Sequence, residues 1–406
     1  MTMLKLAWKN ILNKPLNTLL SWTGISISAG IISMLLIFQN NFERQFGKNI
    51  DGIDMVIGAK GSPLQLILSS VFHIDAPTGN IPLKEAEQWM HHPLVEKAVP
   101  LAYGDSYEGC SIIGTTEAYL QHYEAVIAAG KAFENNFEVV LGHNLSQKLS
   151  LKVGDTFFST HGHDEHGEEH THQAYTVTGF LSPTGTVLDN LIVGNIESVW
   201  KIHDHPDEHQ HCNHEDGHHH HEDKHRELTA ILVKFKTPMA LVQMPRLINQ
   251  ETSMMAAVPA IEVNRLFSLF GTGITVLKNI GFGIMLLAAL IIFVSLYNAL
   301  KERKYELALM RTVGISGLRI FISLLAEGLI ISITGICSGL VLSRIILFLL
   351  SGAIQDNYHL AWDKLWSPVP GEPALTVITL CLGLLAVLIP ALRIWSLNIS
   401  KTLANG

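Results

Sequence analysis

Four long apolar runs limit what this 406-residue chain can fold into more than any other feature of its sequence. A helix needs about 20 mostly apolar residues to cross a bilayer, and four windows meet that requirement: residues 18–39, 280–300, 320–342 and 374–395. Only 16% of the residues are charged, against about 25% in soluble domains. We predict four transmembrane helices in contact with membrane lipid. The first is an uncleaved anchor, because its apolar run continues past any signal-peptide cleavage point.

Lysine and arginine residues predict the orientation of these helices. Basic residues collect in the N-terminal segment 1–17, in the segment 301–319 between the second and third windows, and near the tail 396–406. Because basic loops stay in the cytoplasm, both termini of this multi-pass bacterial inner-membrane protein are predicted to be cytoplasmic. Residues 40–278 and the short loop 351–373 then lie on the periplasmic side.

The long segment 40–278 is predicted to be an α+β domain inserted between the first and second transmembrane helices. Alternating runs such as 175–180 and 228–236 predict strands, and residues 83–90 predict a helix introduced by Pro82. The sequence has no nucleophile elbow, phosphate loop or HExxH zinc motif, so we predict a chain that is not an enzyme. Its net charge of −8 gives no case for binding nucleic acid.

Two histidine tracts, residues 161–172 and 203–225, interrupt this domain and are predicted to be loops. They contain fifteen of the 21 histidines of the chain. Imidazole and carboxylate ligands suit Zn²⁺, Ni²⁺ or Cu²⁺, and this composition favours loose binding of several ions over one rigid site. Two alternatives stay open: a solvated polar insert, and a pH-sensitive linker whose histidines become charged together near a pH of about 6.5. The candidate metal ligands are His161, His163, His166, His170, His172, His203, His205, His209, His211, Cys212, His214, His218, His219, His220, His221 and His225.

Glu327 lies within the third apolar run. A carboxylate inside a membrane is a functional candidate by default. In the plainer interpretation, Glu327 lies only about two helical turns from the cytoplasmic end, where it reaches water or a neighbouring helix. We prefer this second interpretation.

Several passages of the sequence follow the pattern of a known family. Residues 302–314 read Glu-Arg-Lys-Tyr-Glu-Leu-Ala-Leu-Met-Arg-Thr-Val-Gly, which closely matches the signature ER-x-x-E-[IL]-x-x-x-[RK]-x-x-G. The chain therefore resembles the MacB/FtsX-like ABC transporter permeases, the type VII ABC systems that include the lipoprotein-releasing permeases. Weaker matches lie in the amphipathic segment 6–16, at Glu327, in Pro-Ala-Leu-Arg at 390–393, and in the periplasmic segments 142–155 and 182–189.

The resemblance implies a permease subunit whose ATP is hydrolysed by a separate ABC ATPase subunit, and the chain itself has no Walker A motif. It implies spans that transmit motion to the periplasmic domain instead of forming a substrate channel. It also implies a second permease copy, identical or paralogous, and a periplasmic adaptor or substrate protein is a further expected partner. No cofactor is expected in the chain apart from Zn²⁺ in the histidine tracts. The residues implied to dock on the ATPase are Glu302, Arg303, Glu306, Arg311 and Gly314.

Three functional hypotheses follow. The leading one is an ABC permease subunit that exports or extracts an envelope substrate and is linked by its histidine tracts to zinc or another transition metal. The second is a non-transporting signal transducer that regulates a periplasmic partner such as a cell-wall hydrolase. The third, a membrane-anchored metal-dependent binding protein or chaperone, is disfavoured because such a protein has no use for the segment 302–314.

Overall fold

A computed structural model describes residues 15–161, 169–203, 226–302, 312–358 and 366–392. The chain divides into two compact units, a helical unit and an inserted domain. The helical unit contains Met1–Phe42, Leu269–Ala353 and Trp362–Gly406. The inserted domain contains Glu43–Ser268 and Ile354–Ala361.

Ten α-helices are present in the described residues. In chain order they are α1 (Pro15–Ile50), α2 (Pro63–Ser70), α3 (Leu83–Met90), α4 (Glu117–His122), α5 (His143–Lys148), α6 (Ile196–His203), α7 (Pro238–Glu251), α8 (Pro259–Glu302), α9 (Gly317–Tyr358) and α10 (Glu372–Leu392). Four of them, α1, α8, α9 and α10, are long and apolar enough to cross a membrane. The predicted fold class, four spans with an α+β domain between the first and second, is confirmed.

The helices of the first three spans extend well beyond the apolar windows. Helices α1, α8 and α9 have 36, 44 and 42 residues, which corresponds to about 54, 66 and 63 Å, whereas the hydrocarbon layer is about 30 Å thick. Hydropathy marks only the apolar part of a helix, and the backbone hydrogen bonds continue through the polar residues beyond it. Residues 259–278 belong to α8, and residues 351–358 belong to α9. The membrane boundaries of these segments stay a prediction.

Small residues bring α1 close to two other helices of the helical unit. A Cβ atom on Gly24 would lie 2.9 Å from α8, and one on Gly30 would lie 3.1 Å from the carbonyl oxygen of Gly339 in α9. The Ser338 hydroxyl of α9 donates to Ser26 Oγ of α1 at 3.0 Å. In lipid, where apolar contact alone gives little drive for association, such close packing and hydrogen bonding hold helices together.

The inserted domain contains twelve strands among its described residues. They are β1 (Met55–Ala59), β2 (Ile81–Pro82), β3 (Val95–Tyr107), β4 (Cys110–Thr115), β5 (Ile127–Gly130), β6 (Glu138–Leu141), β7 (Thr156–His161), β8 (Glu169–Leu181), β9 (Ile192–Asn195), β10 (Glu227–Leu228), β11 (Ala230–Phe235) and β12 (Met254–Ala257). The main sheet has the order β12-β1-β11-β3-β4-β9-β6-β8-β5, and β10 pairs with β2.

The long strand β3 connects two lobes of this domain. Its first half pairs with β11 and its second half pairs with β4. Strand β7 pairs with both β3 and β8, so β3, β4, β9, β6, β8 and β7 form a closed ring of six strands. Closure leaves these strands without free edges that could pair with other chains.

Each lobe has its own apolar core. In the first lobe, α3 and α7 cover the sheet and bury Trp89 and Met244 against Ile57 and Ile231. Inside the strand ring, alternating inward residues fill the centre, as expected for the period of two in a strand. These inward residues include Val139, Leu141, Phe157, Tyr175 and Val177.

The backbone corrects the predicted loop at the first histidine tract. Strand β7 ends at His161 and β8 begins at Glu169, so both ends of the tract are strand and only residues 162–168 remain as the connection, which lies outside the described residues. The second tract begins at His203, the last residue of α6, and residues 204–225 also lie outside the described residues. Cross-strand pairing extends β8 further than hydropathy alternation alone indicated.

Candidate transmission site

Helix α1 leads into the inserted domain, where Asn49 fixes its end. The backbone N–H of Val187 donates to Asn49 Oδ1 at 3.0 Å, and the Tyr123 hydroxyl donates to the Asn49 carbonyl oxygen at 3.1 Å. Burial raises the pKa of the Tyr123 hydroxyl, so it stays protonated as a donor. Asn49 is only 3% exposed, so losing either bond would leave a buried polar group without a partner, which is costly.

The loop that Asn49 contacts is itself well ordered by hydrogen bonds. The backbone N–H groups of Thr184 and Gly185 donate to the carboxylate of Asp189 at 2.9 and 2.7 Å. Asp189 is buried within a short 3₁₀ turn that starts at Val187. The end of α1 is therefore attached to a defined loop of the second lobe.

The two helices that enter the domain lead into neighbouring strands. Gly52, with φ of +75°, forms the turn between α1 and β1, a conformation that glycine adopts without steric cost. Strands β1 and β12 pair antiparallel, with Val56 opposite Ala257. Helix α8 begins at Pro259, directly after β12. Helices α1 and α8 thus adjoin the two members of one hydrogen-bonded strand pair.

Helices α1 and α8 also contact each other within each unit. In the helical unit, Lys278 Nζ donates a hydrogen bond to Gln39 Oε1 at 2.7 Å. The rings of Phe42 and Phe270 pack edge to face, with 5.8 Å between their centroids. In the inserted domain, the ring centroids of Phe46 in α1 and Phe267 in α8 lie 6.0 Å apart. In each unit, these contacts join the later part of α1 to the early part of α8.

The residues implied to dock on an ATPase lie where α8 ends and beyond. Glu302 is the last residue of α8, and residues 303–311, which include Arg303, Glu306 and Arg311, lie outside the described residues. Gly314 has φ of +95°, in the left-handed region that favours glycine. The chain turns there before α9 begins. The docking role of these residues stays a prediction.

Glu327 lies on α9 and is partly buried. Its neighbour Gly328 lies at a close contact between α9 and α10, where an added Cβ atom would overlap the side chain of Val387. A functional role for the Glu327 carboxylate stays a prediction.

The structure joins two charged residues that the hydropathy windows left out. Arg344 follows the third window by two residues and Glu372 precedes the fourth by two. They form a bidentate ion pair, with Arg344 Nη1 2.6 Å from Glu372 Oε1 and Nη2 2.7 Å from Oε2. The sequence signal that could have revealed them is opposite charge at the facing ends of consecutive apolar runs.

Among the described residues, no group of three or more His, Cys, Asp and Glu side chains could hold a metal ion. The side chains of both histidine tracts are not part of that described set. The ends of the second tract are held together, because Trp200 Nε1 donates to the Glu227 carbonyl oxygen at 2.7 Å and the Arg226 guanidinium lies 5.4 Å from the Trp200 ring centroid. Zinc binding by the tracts stays a prediction.

The carboxylate of Glu138, at the start of β6, has a strongly lowered pKa. Glu138 accepts hydrogen bonds from the backbone N–H groups of Asn135 and Glu134 at 3.0 and 2.8 Å. Together with the Asn135 side chain, these donors lower the pKa of Glu138 from 4.5 to about 2. The shift is a structural one, since donors to a carboxylate stabilise its charged form.

Two family models match this chain, and two solved structures show a weaker likeness. Residues 18–244 match the MacB-like periplasmic core domain, and residues 279–399 match the FtsX-like permease C-terminal region. No curated protein matches the chain. The crystal structure of the periplasmic region of MacB from Actinobacillus actinomycetemcomitans is 12% identical, with a TM-score of 0.33, over 54% of this chain and 95% of that one. The extracellular domain of the noncanonic ABC-type transporter YknZ from Gram-positive bacteria is 10% identical, with a TM-score of 0.31, over 50% of this chain and 98% of that one.

Four membrane-capable helices with an α+β domain between the first and second define the class: a multi-pass inner-membrane protein with a periplasmic domain. The match to the periplasmic core domain covers more than half of the chain, and the permease match covers most of the remainder. The chain belongs to the MacB/FtsX-like ABC transporter permease family.

Proposed function

We propose that this permease transmits ATP-driven motion of a separate ABC ATPase subunit to its own periplasmic domain. The observation that supports this most strongly is the continuity of α1 and α8, which pack together and lead into the paired strands β1 and β12. Rigid secondary elements with defined contacts are the physical means by which motion is coupled over long distances. The polar joint at Asn49 gives α1 a second attachment, to the other lobe.

The start of the motion is assigned to the segment 303–316, which joins α8 to α9. An ATPase that moves this segment would displace the ends of both helices at once. We infer that the segment and both termini face the cytoplasm, that ATP hydrolysis belongs to the partner, and that a second permease copy, identical or paralogous, completes the complex.

The periplasmic domain would then act mechanically on an envelope substrate that is exported or extracted, directly or through a periplasmic adaptor. The histidine tracts offer a link to Zn²⁺ or another transition metal. They hold eleven carboxylates and one lysine, so they account for more than the whole net charge of −8. Such a local concentration of negative charge and imidazole attracts divalent cations.

A helix break at Arg44 tests the proposal. Arg44 is exposed on α1, close to where that helix enters the inserted domain. Proline inside a helix removes one hydrogen bond and kinks the axis, so Arg44→Pro interrupts α1 without touching a buried side chain. Arg44→Ala is the matched control. The measurement is nucleotide-dependent hydrogen exchange of β1 and β12 in the complex with its ATPase.

We expect Arg44→Ala to behave as the parent protein. In Arg44→Pro the partner should still hydrolyse ATP, while the response of β1, the strand that follows α1, to nucleotide is strongly reduced. A full response in the proline variant would contradict transmission through α1. A domain that responds to nucleotide although no substrate moves in a transport assay would favour the signal-transducing alternative.

A further inference from the structure

An ion pair is buried among three helices of the helical unit. Arg344 of α9 and Glu372 at the start of α10 have side chains only 8% and 7% exposed. Both lie within candidate membrane spans. Their two contacts are parallel, from Nη1 to Oε1 at 2.6 Å and from Nη2 to Oε2 at 2.7 Å. Ionisable residues in such segments are rare because they are costly to bury, and they mark functional positions.

A serine of α1 completes this arrangement. The Ser33 hydroxyl donates to Glu372 Oε1 at 2.6 Å and accepts from Arg344 Nη1 at 2.8 Å. Ser343 accepts a further bond from Arg344 Nη1 at 3.1 Å, and the Val369 backbone N–H donates to Glu372 Oε2 at 3.1 Å. Both carboxylate oxygens are thus doubly satisfied, and three helices meet at one charged group.

The position of the pair along the helices connects the two ends of the proposed transmission route. Arg344 lies 27 residues after the start of α9, about 40 Å from the segment that faces the ATPase. Ser33 lies 16 residues before Asn49 in α1. The helix that begins at the coupling segment therefore holds the helix that ends in the domain.

Stability alone does not explain a buried charge at this point. Removing charges from water is costly, and well-packed apolar residues often stabilise such a site equally well. Helices α1 and α9 already pack closely at Gly30 and Gly339. Apolar contacts tolerate sliding, whereas bidentate hydrogen bonds of 2.6–2.8 Å break when one helix moves by a single residue, about 1.5 Å. The ion pair therefore fixes the axial register of the helices.

We propose that Arg344, Glu372 and Ser33 form a register lock, defined as the hydrogen-bonded group that makes α1, α9 and α10 move axially as one body. The three residues are positioning residues. Without the lock, α9 and α1 lose their charged connection, and displacement of the cytoplasmic end of α9 reaches the domain only through α8 and the weaker contacts of α1. This inference rests on the proposed transmission function.

The test replaces the charged pair with apolar residues of similar size. The double variant Arg344→Met/Glu372→Leu preserves packing and leaves no unpaired buried charge. Ser338→Ala is the matched control, since it removes a different hydrogen bond between α9 and α1, the one to Ser26. Each protein is studied as the full chain in lipid nanodiscs with its ATPase. The readout is the nucleotide-dependent change in hydrogen exchange of β1, normalised to the ATP hydrolysis rate.

We expect the double variant to be folded, with a melting temperature close to that of the parent, and to show a much smaller nucleotide-dependent change. Ser338→Ala should retain it. If the double variant is folded and responds as the parent does, the lock is refuted and the ion pair is only structural. If the parent itself shows no response, the proposed function fails, and the two failures are thereby distinguished.

A second variant keeps the test decisive if the double variant does not fold. Ser33→Ala removes only the hydroxyl that joins α1 to the ion pair and leaves Arg344 and Glu372 paired. The lock requires a reduced response of β1 in this variant. A response equal to that of Ser338→Ala would overturn it.

Discussion

The joint at Asn49 gives a prediction whose size can be worked out from the structure. Asn49→Ala removes the side-chain oxygen that accepts from the Val187 N–H, while the bond from Tyr123 to the Asn49 carbonyl oxygen persists because it uses the main chain. The Val187 N–H is then buried without its acceptor, which costs about 1–3 kcal/mol. For a domain of this size, the melting temperature should fall by about 2–12 °C.

Two measurements on the purified chain check this value. Thermal unfolding of the periplasmic domain measures the loss of global stability. Hydrogen exchange at the Val187 amide measures the loss of local stability around this N–H group. A loss of about 1–3 kcal/mol corresponds to about 5- to 150-fold faster exchange. Asn264→Ala is the control because Asn264 is exposed on α8, where a substitution changes stability by about 0.5 kcal/mol or less.

The outcome that would refute the reasoning is an Asn49→Ala variant that matches Asn264→Ala in both measurements. Asn49 would then not fix the end of α1, and the second attachment of that helix to the domain would be lost as an explanation. An effect on Val187 exchange alone, with unchanged unfolding, would limit the joint to a local contact.

Three further predictions address the coupling segment, the histidine tracts and pH. Glu306→Ala/Arg311→Ala should abolish stimulated ATP hydrolysis by the partner complex while membrane insertion continues; full stimulation would count against docking by this segment. Replacing residues 204–225 with a short flexible linker, which the contacts of Trp200 permit, should remove most zinc binding measured by calorimetry, and unchanged uptake without both tracts would make them solvated inserts. Because the pKa of Glu138 falls from 4.5 to about 2 on folding, its charge stabilises the fold above about pH 4.5, and this contribution is lost as the pH falls toward 2. The difference in stability between the parent and Glu138→Gln should therefore disappear near pH 2, and a difference that does not change with pH would refute this assignment.

Much of the architecture was predictable because it depends on local signals. The four apolar windows identified the four spans. Pro82, followed by acidic residues, predicted helix α3 with the observed bounds. The pattern in residues 302–314 pointed to the permease family to which the chain belongs. In each case the responsible residues are contiguous or spaced at the period of a single element.

The features missed from the sequence depend on contacts between distant residues. Arg344 and Glu372 lie just outside the apolar windows, and hydropathy alone gives no sign that the two charges pair. Nothing local marks Asn49 either, since its partner Val187 lies 138 residues away. The strand ring closes only because β7 reaches β3, a pairing that alternation within β7 does not encode.

The sequence by itself determined that this chain crosses the membrane four times and places an α+β domain between the first two spans. Burial of apolar side chains in lipid and the periods of helix and strand are sufficient for that result. Only the tertiary structure decided how the spans connect to the domain, through helices that continue past the apolar region into paired strands. The physical reason is that strand register, helix attachments and buried ion pairs depend on which residues lie close together in space. Whether a charged residue is paired depends on a residue in another segment of the chain.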